Sequence, residues 1–110
     1  MGALGVALGA FGAHGLKAII SPEMLEVYRT GILYHLIHSA VLLTISLNSK
    51  YNLTLPFYFI LVGIILFSFS LYAYSITSIL FFAMITPIGG VSLIVGWISI
   101  IYSIIKFKDM

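Results

Sequence analysis

The stretch YNLTLPFYFILVGIILFSFSLYAYSITSILFFAMITPIGGVSLIVGWISIIYSII, residues 51–105, contains no Asp, Glu, Lys, Arg or His. Crossing a hydrocarbon core takes about 20 helical residues. This run is too long for one crossing and suits two joined by a short turn. Lipid offers no partner to a bare backbone group, so a crossing segment is either helical or part of a closed barrel. The run is solidly apolar, without the alternation that barrel strands show. It reads as two transmembrane helices.

The division falls at Ser75-Ile76-Thr77-Ser78, leaving Leu53–Tyr74 for one helix and Ile79–Ile105 for the next. The second segment is longer than a crossing needs, and Pro87, Gly89 and Gly90 sit early in it. Residues 79–84 are therefore expected to be interfacial or a separate short turn. The crossing itself would open near Thr86-Pro87, since the missing proline N–H is not needed at a helix start.

Upstream, Asn48-Ser49-Lys50-Tyr51-Asn52 is a polar loop. Ser21-Pro22-Glu23 is a helix start, with an N-cap serine, proline in the first turn and an acid beside it. That helix runs to Leu47, either straight or bent at Gly31. Residues 1–16 form a first helix dense in Gly and Ala, about 24 Å long and so shorter than the core is thick. The expectation is that it sits off-centre or that a few residues precede it. A signal peptide would need a basic flank that is missing. The fold class is all-α: one integral membrane domain, residues 1–110, with helices at about 1–16, 22–47, 53–74 and 79–105. It is a four-helix bundle with both termini on one side.

Composition agrees. Of 110 residues, 62% are hydrophobic and 7% charged, and mean hydropathy is +1.21. A soluble domain carries roughly 25% charge. Disorder and a disulfide scaffold are excluded as well, the latter by the absence of cysteine. A net charge of +2 gives no reason to expect nucleic acid. Lys50, Lys106 and Lys108 fall on one side, and Lys17 and Arg29, diluted by Glu23 and Glu26, on the other. The basic excess predicts cytoplasmic termini. Tyr51, Tyr58 and Tyr102 are placed as interfacial anchors, and Trp97, about 13 Å in from Lys106, as a packing residue. Without a targeting segment the reading is a multi-pass protein of a bacterial cytoplasmic membrane.

Helices in lipid associate through close packing, which small residues permit. Gly2, Gly5, Gly9 and Gly12 form a stripe on the first helix. Gly89, Ser92, Gly96, Ser99 and Ser103 form another on the last. These two antiparallel stripes are expected to face each other, the alternative being a contact between copies of the chain.

The polar residues are expected to gather at the non-cytoplasmic end. His14 closes the first helix, and His35 and His38, three apart, share a face of the second. Tyr28, Arg29, Tyr72, Thr86 and Pro87 come to the same end. Three readings compete: interhelical hydrogen bonding that fixes the bundle, a proton or ligand site, and a metal site on His14, His35 and His38. The first leads, because a pair at i, i+3 with one distant histidine is weak as a metal signal. Of the carboxylates, Glu23, Glu26 and Asp109, the first two better suit a helix start than general acid–base work. No nucleophile elbow, metalloprotease helix or phosphate loop is present. No enzyme activity and no cofactor are implied.

Four strings carry a family resemblance: Gly9-Ala10-Phe11-Gly12-Ala13-His14-Gly15-Leu16-Lys17; Tyr28-Arg29-Thr30-Gly31 with Tyr34-His35 and His38; Leu66-Phe67-Ser68 with Ser70-Leu71-Tyr72; and Ile85-Thr86-Pro87-Ile88-Gly89-Gly90 with Gly96-Trp97. Together they resemble the YgdD/YwdK-like family of small four-helix membrane proteins of unknown function. The resemblance covers nearly the whole chain. It implies architecture and membrane location rather than a reaction, and it favours His14, His38, Thr86 and Pro87 for any site. Phe69 departs from the glycine that the family pattern implies. The functional expectation is a non-enzymatic structural, accessory or assembly component, contacting lipid and either its own copies or another membrane protein. The alternative is a small transporter or channel with a histidine-lined proton or ligand site.

Overall fold

Ser21-Pro22-Glu23 does what its chemistry dictates. The Ser21 hydroxyl accepts from the Met24 N–H at 3.2 Å, and helix α2 follows unbroken over Pro22–Leu47. Gly31 introduces no break. In the computed structural model, which describes residues 1–108, α1 is Gly2–His14, followed by a 3₁₀ turn at Leu16–Ala18. Helices α3 (Thr54–Ile64) and α4 (Ser70–Thr77) form one rod, joined by a π-helical turn at Ile65–Phe69. Helix α5 is Leu80–Lys108. The loop before α3 is folded on Asn48, whose Oδ1 accepts from the Lys50 and Tyr51 N–H groups. Asp109 lies outside the described residues.

Three rods, Pro22–Leu47, Thr54–Thr77 and Leu80–Phe107, are long and apolar enough to cross a membrane. With α1 they make the expected all-α four-helix membrane architecture. Chain direction alternates. The antiparallel register of α5 on the α3–α4 rod repeats at Ile60 against Gly96, Gly63 against Leu93, Phe67 against Gly89 and Ser70 against Thr86. The start of α3 and the end of α5 meet where the Tyr51 ring packs edge-on to Phe107, 5.0 Å between centroids. This is the Lys50 end of the molecule; Lys17 marks the other.

The boundaries differ from expectation at three places. The third rod continues past Tyr74 to Thr77, where Ser78 takes a left-handed conformation (φ 58°) and ends it. The last helix does not wait for Pro87; it starts at Leu80 and carries Pro87 inside. Proline denies the Ala83 carbonyl its usual donor. Membrane helices tolerate this when side chains and neighbouring helices re-satisfy the freed groups. Beside the proline, the Thr86 hydroxyl lies 3.4 Å from the Phe82 carbonyl and 2.6 Å from Ser70 Oγ, a side-chain contact to the neighbouring rod rather than a replacement donor for Ala83. The first helix ends at His14 rather than at residue 16, because Gly15 opens the 3₁₀ turn.

The larger correction concerns the stripes. They do not face each other: α1 packs on α2, and α5 packs on the α3–α4 rod. Gly5, Gly9 and Gly12 meet Leu36, Ile32 and Tyr28 of α2. Gly2 meets nothing. Gly89 lies directly on the main chain of Leu66 and Phe67, Gly96 on Ile60, and Ser92 donates to the Phe59 carbonyl at 2.8 Å. Ser99 donates to the carbonyl of Gly96 in its own helix. Each stripe serves the neighbour next to it in sequence, which is where consecutive antiparallel helices ordinarily pack. The rods therefore stand in a row, α1, α2, α3–α4, α5, and the Cα extents of 55 × 26 × 15 Å describe a slab. Leu42, Ile60, Ile64 and Leu93 form one core cluster; Leu16, Tyr28 and Tyr72 form a second.

Candidate functional site: a polar clasp in the bundle

Because α2 begins at Pro22, His35 stands about 20 Å and His38 about 24 Å along it from the Lys17 end. They are mid-helix residues, not rim residues. His14 is exposed at the end of α1 and shares no partner with them. The three imidazoles do not converge, and no group of three or more His, Cys, Asp or Glu among the described residues is placed to hold a metal ion. The expected rim cluster resolves into three separate clasps.

The first joins α1, α2 and α4. The Tyr28 hydroxyl donates to the Leu8 carbonyl. Its ring lies 5.1 Å from that of Tyr72. The Tyr72 hydroxyl is 2.8 Å from His35 Nδ1, and His35 Nε2 is 2.9 Å from the Met1 carbonyl. A carbonyl only accepts, so His35 Nε2 carries a proton and donates to Met1, while Nδ1 pairs with the Tyr72 hydroxyl. Gly31 makes room for this arrangement: a Cβ there would collide with the Tyr72 ring. His35 is completely buried.

The second clasp joins α2 to α5, whose backbones do not otherwise touch. Trp97 Nε1 donates to His38 Nε2 at 3.0 Å, with the rings edge-on at 5.8 Å. An indole N–H only donates, so His38 is protonated on Nδ1, which donates to the Tyr34 carbonyl at 2.8 Å. The two histidines thus use Nε2 in opposite senses: His35 donates from it to the Met1 carbonyl, and His38 accepts on it from Trp97. The third clasp is the Ser70–Thr86 pair already described. Thr86 belongs to it, and Pro87 follows it as a helix-interior residue.

Arg29 joins none of these. It is exposed and pairs with Glu26 at 2.9 Å, three residues away. An exposed pair of this kind contributes about 0–1 kcal/mol. Glu26 is engaged there, and both ring nitrogens of His35 and of His38 are bonded elsewhere. Glu26 therefore pairs with Arg29 and not with His35 or His38. Ser68 stands apart. Its hydroxyl is fully buried in the π turn without a partner, one helical turn before Tyr72.

Trp97 is the clasp member that sequence reasoning left as packing. The signal was available: an indole N–H at membrane depth has no water to bond and needs an acceptor. Trp97 lies about 25 Å along α5 from Leu80, the depth of His38 on α2.

Known proteins of the same kind agree on where such a chain resides. A family model described as "Protein of unknown function (DUF423)" matches residues 8–90. The UPF0382 membrane protein YwdK of Bacillus subtilis is 40% identical over 109 residues, covering 94% of this chain and 89% of that protein. A UPF0382 membrane protein of Haemophilus influenzae is 39% identical over 110 residues, covering 96% of this chain and 87% of its own length. The UPF0382 inner membrane protein YgdD of Escherichia coli is 34% identical over 107 residues, covering 94% and 82%. No solved structure matches. With its helices, its Gly and Ser stripes and these relatives, the chain belongs to the DUF423 family of multi-pass membrane proteins of unknown function.

Proposed function

We propose that this protein is a non-enzymatic component of the bacterial cytoplasmic membrane, acting in a structural, accessory or assembly role, with its termini on the cytoplasmic side. The observation that carries this reading is the complete engagement of His35 and His38 by groups of the same chain. A histidine that relays protons or binds a ligand needs a nitrogen it can offer; these four are spent on holding helices together. The orientation rests on Lys50 and Lys106 at one end against Lys17 at the other, where Arg29 is neutralised by Glu26.

The test is reconstitution in liposomes carrying a pH-sensitive dye. Under an imposed proton gradient, wild-type protein and His35→Gln should both leak no faster than protein-free vesicles. His35→Ala and His38→Ala should lower the unfolding midpoint in detergent. A flux that wild type supports and His35→Gln abolishes would overturn the proposal. It would favour instead a small transporter in which Ser68, Tyr72 and His35 form a proton path, the reading that the unpartnered Ser68 hydroxyl supports.

A further inference from the structure

At the Lys50 end, a cleft lies between the start of α3 and the end of α5. It lies beyond the close contact of Ile60 with Gly96 and has a volume of about 730 Å³. Such a volume lies within the usual range of small-molecule sites. One wall is Thr54, Leu55 and Tyr58 of α3; the other is Ser99, Tyr102, Ser103 and Lys106 of α5, spaced along one helical face. Lys50 and Asn52 close the end. The polarity is graded. Two ammonium groups stand at the mouth, hydroxyls follow, and the exposed Tyr58 and Tyr102 rings flank the interior.

Among the described residues the charge of this end is one-sided. The described acids, Glu23 and Glu26, are on the first turns of α2 at the opposite end. Lys50 is held by aromatic rings instead of a carboxylate: its Nζ lies 5.4 Å from the Tyr51 centroid and 5.8 Å from that of Phe107. α3 also begins here without a side-chain cap on its N-cap residue, Leu53, which adds the positive end of a helix dipole. A cleft that opens at the membrane boundary, basic outside and apolar inside, has the order of polarity of a phospholipid. Basic pockets between transmembrane helices bind anionic headgroups.

We propose that this cleft is a binding site for an anionic phospholipid. Lys50 and Lys106 contact the headgroup phosphate, and an acyl chain lies between Tyr58 and Tyr102. The two lysines then do more than orient the chain. They hold a lipid in the cleft between the ends of α3 and α5.

The experiment is native mass spectrometry of the detergent-solubilised full chain with phosphatidylglycerol or phosphatidylcholine added. Wild type should retain phosphatidylglycerol about tenfold better than phosphatidylcholine, as two lysines near a phosphate imply. The K50Q/K106Q double variant should show equal retention, K50R/K106R should keep the preference, and Lys17→Gln should not alter it. Raising salt should erode the preference of wild type without any substitution, which keeps the test valid if the double variant folds poorly. Equal retention of both lipids by wild type would overturn the proposal. So would a preference that survives in K50Q/K106Q or one lost equally in Lys17→Gln. Full displacement by millimolar inorganic phosphate would assign the site to a free anion and overturn the lipid reading.

Discussion

Two contacts in this molecule solve one problem in opposite ways. Between α1, α2 and α4 the helices are joined by hydroxyl and imidazole groups: Tyr28 on Leu8, His35 on Met1, Tyr72 on His35. Between α5 and the α3–α4 rod the contact is mainly close approach, with Gly89 on the main chain of Phe67, Gly63 on Leu93 and Gly96 on Ile60. Lipid removes the hydrophobic gain that glues helices in water, leaving dispersion and hydrogen bonds. One contact draws on the second resource and the other on the first. The polar one is sensitive to loss of single atoms, the glycine one to their addition.

That contrast can be broken from either side by chemical unfolding in detergent. Gly89→Leu should do most. Its side chain has nowhere to go but into backbone, and overpacking of this kind costs about 3 kcal/mol or prevents assembly. His35→Ala should follow at about 2 kcal/mol, since it strands the buried Tyr72 hydroxyl as well as losing two bonds. Tyr28→Phe deletes one hydroxyl and should cost about 1 kcal/mol. Trp97 is the sole tryptophan, so His38→Leu should shift its fluorescence emission directly, with a stability loss of about 0.6 kcal/mol. Gly90→Ala is the control. A Cβ there meets Phe67 at an ordinary 3.7 Å, so the change should be neutral or stabilise by up to about 1 kcal/mol through helix propensity. If Gly89→Leu and Gly90→Ala behaved alike, the α3–α5 contact would not be set by close approach. If Tyr28→Phe were silent, the hydroxyl clasp would be incidental.

Much of this was legible in the chain itself. The uncharged run over residues 51–105 forces two crossings. Ser21-Pro22 starts α2 where its chemistry places it, and Asn48–Asn52 is the loop. Both small-residue stripes were visible, but periodicity marks a smooth face without naming what lies against it. Adjacency in sequence was the better guide, and it assigns each stripe to a different neighbour. Pro87 misled because membrane helices tolerate proline in their interior; here it lies inside α5, seven residues after Leu80, beside the Ser70–Thr86 contact. The π turn has no signature in residue types. The histidines were misplaced in depth because a bend at Gly31 stayed open; in the straight helix from Pro22 to Leu47, His35 and His38 fall at the middle. Counted from Pro22 and from Leu80, His38 and Trp97 fall at matching heights. The clasp between them then follows from what an indole can donate and an imidazole accept.

The acceptors that α1 offers to α2 are both carbonyls, those of Met1 and Leu8. Tyr28 and His35 therefore grip a feature common to every peptide unit and ignore what hangs from it. The outward side chains of α1 are free to drift through generations of substitution without loosening the latch, provided its glycines keep the two axes near. The identity of this helix is written in its spacing, and its specificity belongs to the partner that holds it.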